Sequence, residues 1–125
     1  KNSKLREAGL SKQKISYIRD LAKRVRTGDL ALKRLPRMSD EEVITELTKV
    51  RGIGRWTAQM TLIFQLGRLD VLPVDDLGLR NGVQKAYGFK APPSAKELEA
   101  IGEKWRPYRS MATWYLWQSQ KTGEV

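Results

Sequence analysis

Residues 47–58 read LTKVRGIGRWTA, and glycines at positions 52 and 54 separate two stretches with helical patterns. Glycine adopts backbone conformations that other residues avoid, so it commonly ends helices and forms tight turns. Ala58, one turn into the second stretch, is small enough to let two helices approach closely. The pattern predicts a helix-hairpin-helix over about residues 40–66.

Start signals for helices recur along the chain. Ser39 and Glu42 have the spacing of a capping box, in which each residue binds the other's backbone N–H. Ser94 and Glu97 repeat this spacing. Acidic residues directly after Ser39 also suit the positive end of a helix. These signals predict helices that begin near residues 40 and 95.

Apolar residues follow helical spacing through most of the chain. We predict helices over about residues 12–26, 29–34, 40–50, 55–66, 76–87, 95–104 and 108–120, with Pro36 closing the segment before the third. Residues 68–74 form a connector, because no strand is evident that could pair with Val71 and Leu72. The fold class is therefore predicted to be all-α. No shift in composition marks a boundary, so we expect one domain over residues 1–125.

The composition is strongly basic, with 24 Lys and Arg against 14 Asp and Glu, a net charge of +10. Such a balance favours a polyanionic partner, nucleic acid before an anionic membrane surface. A solvated basic face is the alternative. The absence of cysteine and histidine excludes structural disulfides, thiolate zinc sites and iron–sulfur clusters. Any general base must then be a carboxylate, a lysine or a tyrosine.

The sequence shows no signal peptide and no apolar run near the roughly 20 residues of a membrane span. We therefore expect no membrane partner and an intracellular protein, in a bacterial cytoplasm or a nucleus.

The glycine hairpin has the features of an anion site. A turn at Gly52 and Gly54 would expose backbone N–H groups beside the N-terminus of a helix, where the helix dipole also favours negative charge. Arg51 and Arg55 flank the turn, and Thr57 follows in the first turn of the second helix. We predict that these five residues bind a DNA phosphate. The alternative is an ordinary helix connection in which the glycines serve geometry alone.

Three motifs in order resemble the HhH-GPD superfamily of DNA glycosylases. Residues 47–58 resemble its helix-hairpin-helix, and the spelling GIGRWTA is most similar to the AlkA-like 3-methyladenine DNA glycosylase II branch. The segment LPVDDLGLR, within residues 70–80, resembles that branch's active-site segment. The stretch EKWRPYRSMA at 103–112 resembles its Trp-x-Pro-aromatic-Arg-Ser motif. The resemblance implies base excision repair of double-stranded DNA that contains alkylated bases.

The resemblance also implies a catalytic aspartate after the hairpin. Cleavage of an N-glycosidic bond builds positive charge on the deoxyribose, which a nearby carboxylate stabilises. Alignment on the following Leu77-Gly78-Leu79 assigns this role to Asp76. Alignment on the Pro-Val-Asp motif of other branches would assign it to Asp75. Helix N-capping is the alternative role for either aspartate.

Related branches carry a nucleophilic lysine just after the hairpin, and this chain has Trp56 there. The resemblance therefore implies a monofunctional glycosylase, which leaves an abasic site without cutting the strand. It also implies a pocket for a flipped base, lined by Trp56, Met60 and Trp117. An indole face suits a cationic alkylated purine. The alternative for both tryptophans is packing in a small core.

The resemblance implies that no cofactor is required. It also implies a structural Na⁺ or K⁺ at the hairpin, bound through main-chain carbonyls that by position belong to Thr48, Val50 and Ile53. Arg106 and Arg109 are expected to cap the last helix or to pair with Asp75 or Asp76, and a solvated basic surface is the alternative for both.

The match covers only the later part of the family pattern. Helices that normally precede it, with a residue that replaces the flipped base, are absent from this sequence. We therefore expect an incomplete glycosylase fold and a companion chain or segment that completes the domain. The functional alternatives are a non-catalytic helix-hairpin-helix DNA-binding module, an inactive glycosylase fragment and a helical protein-interaction module.

Overall fold

The computed structural model describes residues 2–122, which contain α-helices, short 3₁₀ helices and no strand. The prediction of an all-α fold is confirmed. The helices are α1 (Asn2–Glu7), α2 (Lys12–Thr27), a 3₁₀ helix (Leu32–Arg37), α3 (Asp40–Leu47), α4 (Arg55–Phe64), α5 (Leu77–Tyr87), α6 (Ala95–Gly102), a 3₁₀ helix (Glu103–Trp105) and α7 (Arg109–Thr122).

The predicted start signals form as expected. At Ser39 and at Ser94, the side chain accepts from the N–H of the glutamate three residues on, and that glutamate accepts in return. Hydrogen bonds from the serine N–H, and then from its side chain, hold the pKa of Glu42 and of Glu97 below the ordinary value. Asp76 caps α5 in the same position, with its side chain accepting from the N–H of Leu79.

Several predicted boundaries were wrong. Pro36 lies inside a 3₁₀ helix over Leu32–Arg37 where we predicted that it would close a helix over 29–34. A proline at this position is tolerated because so short a helix demands few backbone donors. The helix before the hairpin ends at Leu47, since residues 48–50 belong to the turn, and α4 ends at Phe64. Helix α1 was not predicted at all.

The chain divides into two compact units, Lys1–Ala58 and Gln59–Val125. In the first unit, buried side chains from α2, the 3₁₀ helix and α3 form the interior, and they include Ile15, Leu35 and Val43. This interior positions the hairpin, because the buried Val50 lies within the turn itself. The expectation of one domain over residues 1–125 stays a prediction.

The second unit has its own core, formed by the buried Leu72, Leu79, Val83 and Leu98. Partly buried side chains of other helices, such as Leu116 of α7, pack against it. Leu72 belongs to the connector before α5, and Gly102 makes room for it, because a Cβ at position 102 would lie 2.5 Å from Leu72 Cδ2. The connector is thus fixed by burial rather than by pairing with a strand.

Candidate functional site

The hairpin between α3 and α4 leaves backbone donors available. Gly52 has φ +91°, a left-handed conformation that favours glycine. The N–H groups of Gly52 and Gly54 donate to no acceptor within residues 2–122. A Cβ added at Gly54 would meet nothing within 4 Å, so the space beside this backbone is open. These features suit an anion next to the N-terminus of α4.

Helix α2 supports the hairpin from within the first unit. The carboxylate of Asp20 accepts from the Arg51 N–H at 2.7 Å and from Arg24 Nε at 3.0 Å. These bonds, the backbone one first, hold the pKa of Asp20 below its ordinary value. The guanidinium of Arg51 donates to Ser16 Oγ at 3.0 Å. The turn is therefore held by polar contacts with a helix more than thirty residues earlier in the chain.

The predicted phosphate ligands differ in what they contact. Both terminal nitrogens of Arg55 donate to the carboxylate of Glu41, and these bonds hold the pKa of Glu41 below its ordinary value. Arg51 contacts Ser16, as described above, and Thr57 is exposed. Lys49 forms an ion pair with Glu46 at 2.7 Å. Phosphate binding by Arg51, Arg55 and Thr57 stays a prediction.

The three carbonyls predicted to hold a monovalent cation have acceptor capacity in this turn. Val50 O accepts from the Ile53 N–H at 3.1 Å and, as a carbonyl, has a second lone pair. Among residues 2–122, no backbone N–H group outside the helices donates to the carbonyl of Thr48 or to that of Ile53. Hard cations prefer such oxygen ligands. These carbonyl oxygens are suitable ligands for Na⁺ or K⁺, and the ion itself stays a prediction.

The connector before α5 is bound to the start of α7. Asp70 accepts from Arg109 Nε at 2.8 Å and from Arg106 Nη1 at 3.1 Å. Of the two expected roles, pairing with Asp75 or Asp76 was wrong, because the carboxylate that both arginines contact is Asp70. Burial raises the pKa of the Asp70 carboxyl, but the hydrogen bonds from Arg109 and the charges of both arginines outweigh it, so the pKa is lowered.

Ser110 adds a second link between the same two segments. Its buried Oγ accepts from the Val71 N–H at 2.8 Å and donates to the Arg68 carbonyl at 2.7 Å, and its N–H donates to the Leu69 carbonyl. The Arg-Ser pair of the Trp-x-Pro-aromatic-Arg-Ser motif thus fixes the path of the connector. That path leads directly to the aspartates.

Of the two adjacent aspartates, Asp76 is the enclosed one. Asp76 is buried, with 8% of the residue exposed, whereas Asp75 is exposed. Asp76 Oδ2 accepts from the Leu79 N–H at 2.7 Å and from Trp117 Nε1 at 2.7 Å. One carboxylate oxygen is therefore held by the first turn of α5 and by α7 together. Asp76 combines the capping role with the position that the motif register assigns to catalysis.

An aromatic pair lies next to this carboxylate. Trp117, whose indole N–H binds Asp76, stacks on Phe64 with ring centroids 6.0 Å apart and an interplanar angle of 17°. Phe64 is 59% exposed and Met60, one turn earlier on α4, is half-buried. Phe64 was not among the residues predicted to line a site. Its place after Leu62 and Ile63 at the end of α4 gave no further signal.

Trp56 lies at the start of α4 and is 48% exposed, so it is not a core residue. It belongs to the first unit, whereas Met60 and Trp117 belong to the second. A pocket lined by all three therefore stays a prediction.

Among residues 2–122 no group of three or more acidic, histidine or cysteine side chains could hold a metal ion. No helix in that range is long and apolar enough to cross a membrane.

Comparison with known proteins identifies the family. The model of the HhH-GPD superfamily base excision DNA repair proteins matches residues 1–107. DNA-3-methyladenine glycosylase 1 of Schizosaccharomyces pombe is 38% identical over 121 residues, which are 96% of this chain and 53% of that protein.

Solved structures are also similar to the chain, among them the following two. The S. pombe 3-methyladenine DNA glycosylase Mag1 in complex with abasic DNA superposes with a TM-score of 0.84 at 39% identity, over 93% of this chain and 57% of that one. A DNA-3-methyladenine glycosidase of Bacillus halodurans has a TM-score of 0.87 at 43% identity, over 95% and 55%. The chain spans about half the length of these relatives. It belongs to the HhH-GPD superfamily of base excision DNA repair proteins, and it resembles the AlkA-like branch.

Proposed function

We propose that this chain is the catalytic-side portion of a DNA glycosylase that hydrolyses the N-glycosidic bond of alkylated bases. The observation that carries the proposal is the enclosed carboxylate of Asp76, bound by two N–H donors and bordered by stacked aromatic rings. Relatives named as 3-methyladenine glycosylases support the substrate class.

The reaction assigns a simple role to Asp76. As the bond between the base nitrogen and C1′ breaks, the electron pair leaves with the base and positive charge develops on the sugar. A fixed carboxylate stabilises that charge without reorganising. Water then adds its hydroxyl to C1′, and its remaining proton is transferred to the departing base or to solvent. An abasic site and a free base result.

The aromatic pair supplies a surface for the base. Alkylated purines are electron-poor and often cationic, and an indole face attracts cations. The centroids of Trp117 and Phe64 are 6.0 Å apart, too close to admit a base between them, so a base would stack on an outer face. Met60 adds an adaptable apolar wall in the same unit.

Binding to DNA is assigned to the first unit. It holds fifteen of the 24 Lys and Arg side chains but only seven of the 14 acidic ones. Positive charge of this density attracts the phosphate backbone. The N–H groups of Gly52 and Gly54, which donate to no acceptor within residues 2–122, then supply a local contact for one phosphate.

We infer that the enzyme is monofunctional, because Trp56 occupies the sequence position at which related branches carry a nucleophilic lysine. Borohydride reduction of a reaction mixture should therefore trap no covalent protein–DNA adduct. The DNA product should break only after alkali treatment. A trapped adduct would contradict this assignment.

We infer that a helical companion segment binds this chain and covers the exposed side of α7. Tyr108, Met111 and Tyr115 line an apolar groove of about 400 Å³ there, together with Trp105 and Ala112. Large apolar patches on a surface mark interaction sites. The relatives carry nearly as much chain again outside the matched part, and that part is the proposed occupant.

The test of the function is base release from methylated DNA by the chain together with its companion segment. Asp76→Asn preserves the shape and should lower the rate of release about 100- to 1,000-fold while DNA affinity is kept. Asp75→Asn is the matched control and should leave the rate nearly unchanged. Tight binding without release, equal in all three proteins, would instead favour a non-catalytic DNA-binding module.

A further inference from the structure

Two glycines of α5 allow α7 to approach unusually closely. Gly78 and Gly82 are one helical turn apart, so they share one face. A Cβ at position 78 would lie 3.3 Å from Trp117 Cδ1, and one at position 82 would lie 3.1 Å from the Leu116 carbonyl oxygen. This face, which we call the glycine seam, brings the backbone of α7 against α5.

The seam places a second side chain of α7 at the start of α5. Gln120 Nε2 donates to the carbonyl of Gly78 at 2.5 Å, and at 3.3 Å to that of Leu116 in its own helix. The side-chain amide has two hydrogens, so it can serve both acceptors. Gly82 leaves room for this arrangement, because a Cβ there would lie 3.1 Å both from Gln120 Nε2 and from the Leu116 carbonyl oxygen.

The start of α5 is thus held by α7 at two points. Trp117 binds Asp76, which precedes the helix, and Gln120 binds Gly78, two residues later. Trp117 and Gln120 are three residues apart and project from the same side of α7. Helix α7 thus contacts the Asp76 carboxylate directly, through Trp117, and also the backbone that follows it, through Gln120.

We propose that Gln120 is a positioning residue, which fixes the first turn of α5 against α7 and thereby sets where the Asp76 carboxylate stands. The inference rests on the proposed function, since it gives that carboxylate its task. Gln120 itself touches no reacting atom. Its effect on the reaction passes through Gly78, and a displacement of about 1 Å at a catalytic group can cost up to about 100-fold in rate.

The first arm of the test uses Gln120→Met in the chain with its companion segment. Methionine keeps the length of the side chain but removes the donor. The rate constant kcat for base release should fall about tenfold, with KM for methylated DNA unchanged, because the ground-state contacts remain. The matched control is Gln65→Met, at an exposed glutamine of the same unit, which should behave like the parent. Gln120→Lys keeps an N–H donor and should recover part of the loss.

The second arm does not depend on activity. The indole N–H signal of Trp117, assigned with Trp117→Phe, reports the hydrogen bond to Asp76 in ¹H–¹⁵N spectra. Gln120→Met should shift this signal, and Gly82→Ala should shift it in the same way, although alanine is otherwise the better helix former. If the parent releases no base but the signal shifts, the proposed function fails and the positioning role survives. An indole signal unmoved in both variants, or a rise in KM with kcat unchanged, would overturn the inference.

Discussion

The aromatic ring of Tyr17 lies directly against the backbone of Gly52. A Cβ at position 52 would overlap the ring atoms Cγ and Cδ2 of Tyr17. Gly52 also has φ +91°, so two independent constraints exclude a side chain there. The hairpin glycine is therefore a packing contact with α2 as well as a turn residue. Its neighbour Gly54 has neither constraint, which makes the pair a natural comparison.

Gly52→Ala should destabilise the protein. The left-handed conformation and the overlap with Tyr17 together should lower the free energy of unfolding by about 2 to 4 kcal/mol. Urea unfolding followed by circular dichroism measures this change. In a protein that already carries Tyr17→Ala, Gly52→Ala should destabilise less. The overlap with the ring is then gone, but the backbone strain remains.

Gly54→Ala is the control, since a Cβ at Gly54 would meet nothing within 4 Å. Its stability should stay within about 0.5 kcal/mol of the parent, as for ordinary surface changes. DNA affinity should nevertheless fall if a phosphate approaches this backbone. Equal destabilisation by both alanines would contradict the role given to Tyr17.

Asp70→Asn should destabilise the second unit in a pH-dependent way. The pKa of Asp70 is lower in the folded protein than in the unfolded chain, so its stabilising contribution is complete above the unfolded pKa of about 4. That contribution is lost as pH falls below about 4 and through the folded pKa. At pH 7 the variant should lose about 1 kcal/mol, and at pH 3 its deficit should shrink. Urea unfolding at both pH values measures the difference.

Asp75→Asn provides the comparison, because Asp75 is exposed. Its effect on the free energy of unfolding should be small at both pH values. A deficit of Asp70→Asn that is the same at pH 3 and pH 7 would show that the carboxyl proton is not linked to folding through Arg106 and Arg109.

Local features of the fold were predictable from the sequence. The serine and glutamate pairs at residues 39–42 and 94–97 start α3 and α6, because their partners lie within one helical turn. Asp76 was recognisable as a cap for the same reason. The 3₁₀ helix that contains Pro36 was missed, since the rule that proline ends a helix applies to full α-helices.

Contacts between distant residues were not predictable in this way. Asp70 meets Arg106 and Arg109 across 36 and 39 positions, and Trp117 meets Asp76 across 41. Many carboxylates in this chain could have accepted those donors, and spacing alone does not choose between them. Only the packing of α7 on α5 and the connector decides, and one sequence does not reveal it.

The exposed cationic side chains of the 3₁₀ helix over Leu32–Arg37 should contribute to DNA binding. Lys33, Arg34 and Arg37 are exposed around the buried Leu35 and form no ion pair among residues 2–122. Replacing all three with Gln should make the plot of log affinity against log salt shallower by about 1 to 3 units, because fewer counterions are released. Fluorescence anisotropy with duplex DNA at several salt concentrations measures the slope.

The charge-matched control replaces Lys85, Lys90 and Lys96, which are exposed in the second unit. The loss of net charge is the same, but the slope should change less because that unit carries few excess positive charges. Equal slopes for the two triple variants would mean that only net charge matters.

The exposed face of α7 should bind a helical companion segment. Tyr115 is 63% exposed and lines the apolar groove beside Met111. Tyr115→Glu places a charge in that groove, so it should weaken binding of the segment at least about tenfold, as expected for an aromatic residue at the centre of an interface. The probe is the part of the B. halodurans relative outside the matched region, titrated by calorimetry. Tyr87→Glu, at an exposed tyrosine of α5 outside the groove, should bind like the parent. Equal weakening by both variants, or no binding by the parent chain, would contradict this assignment of the surface.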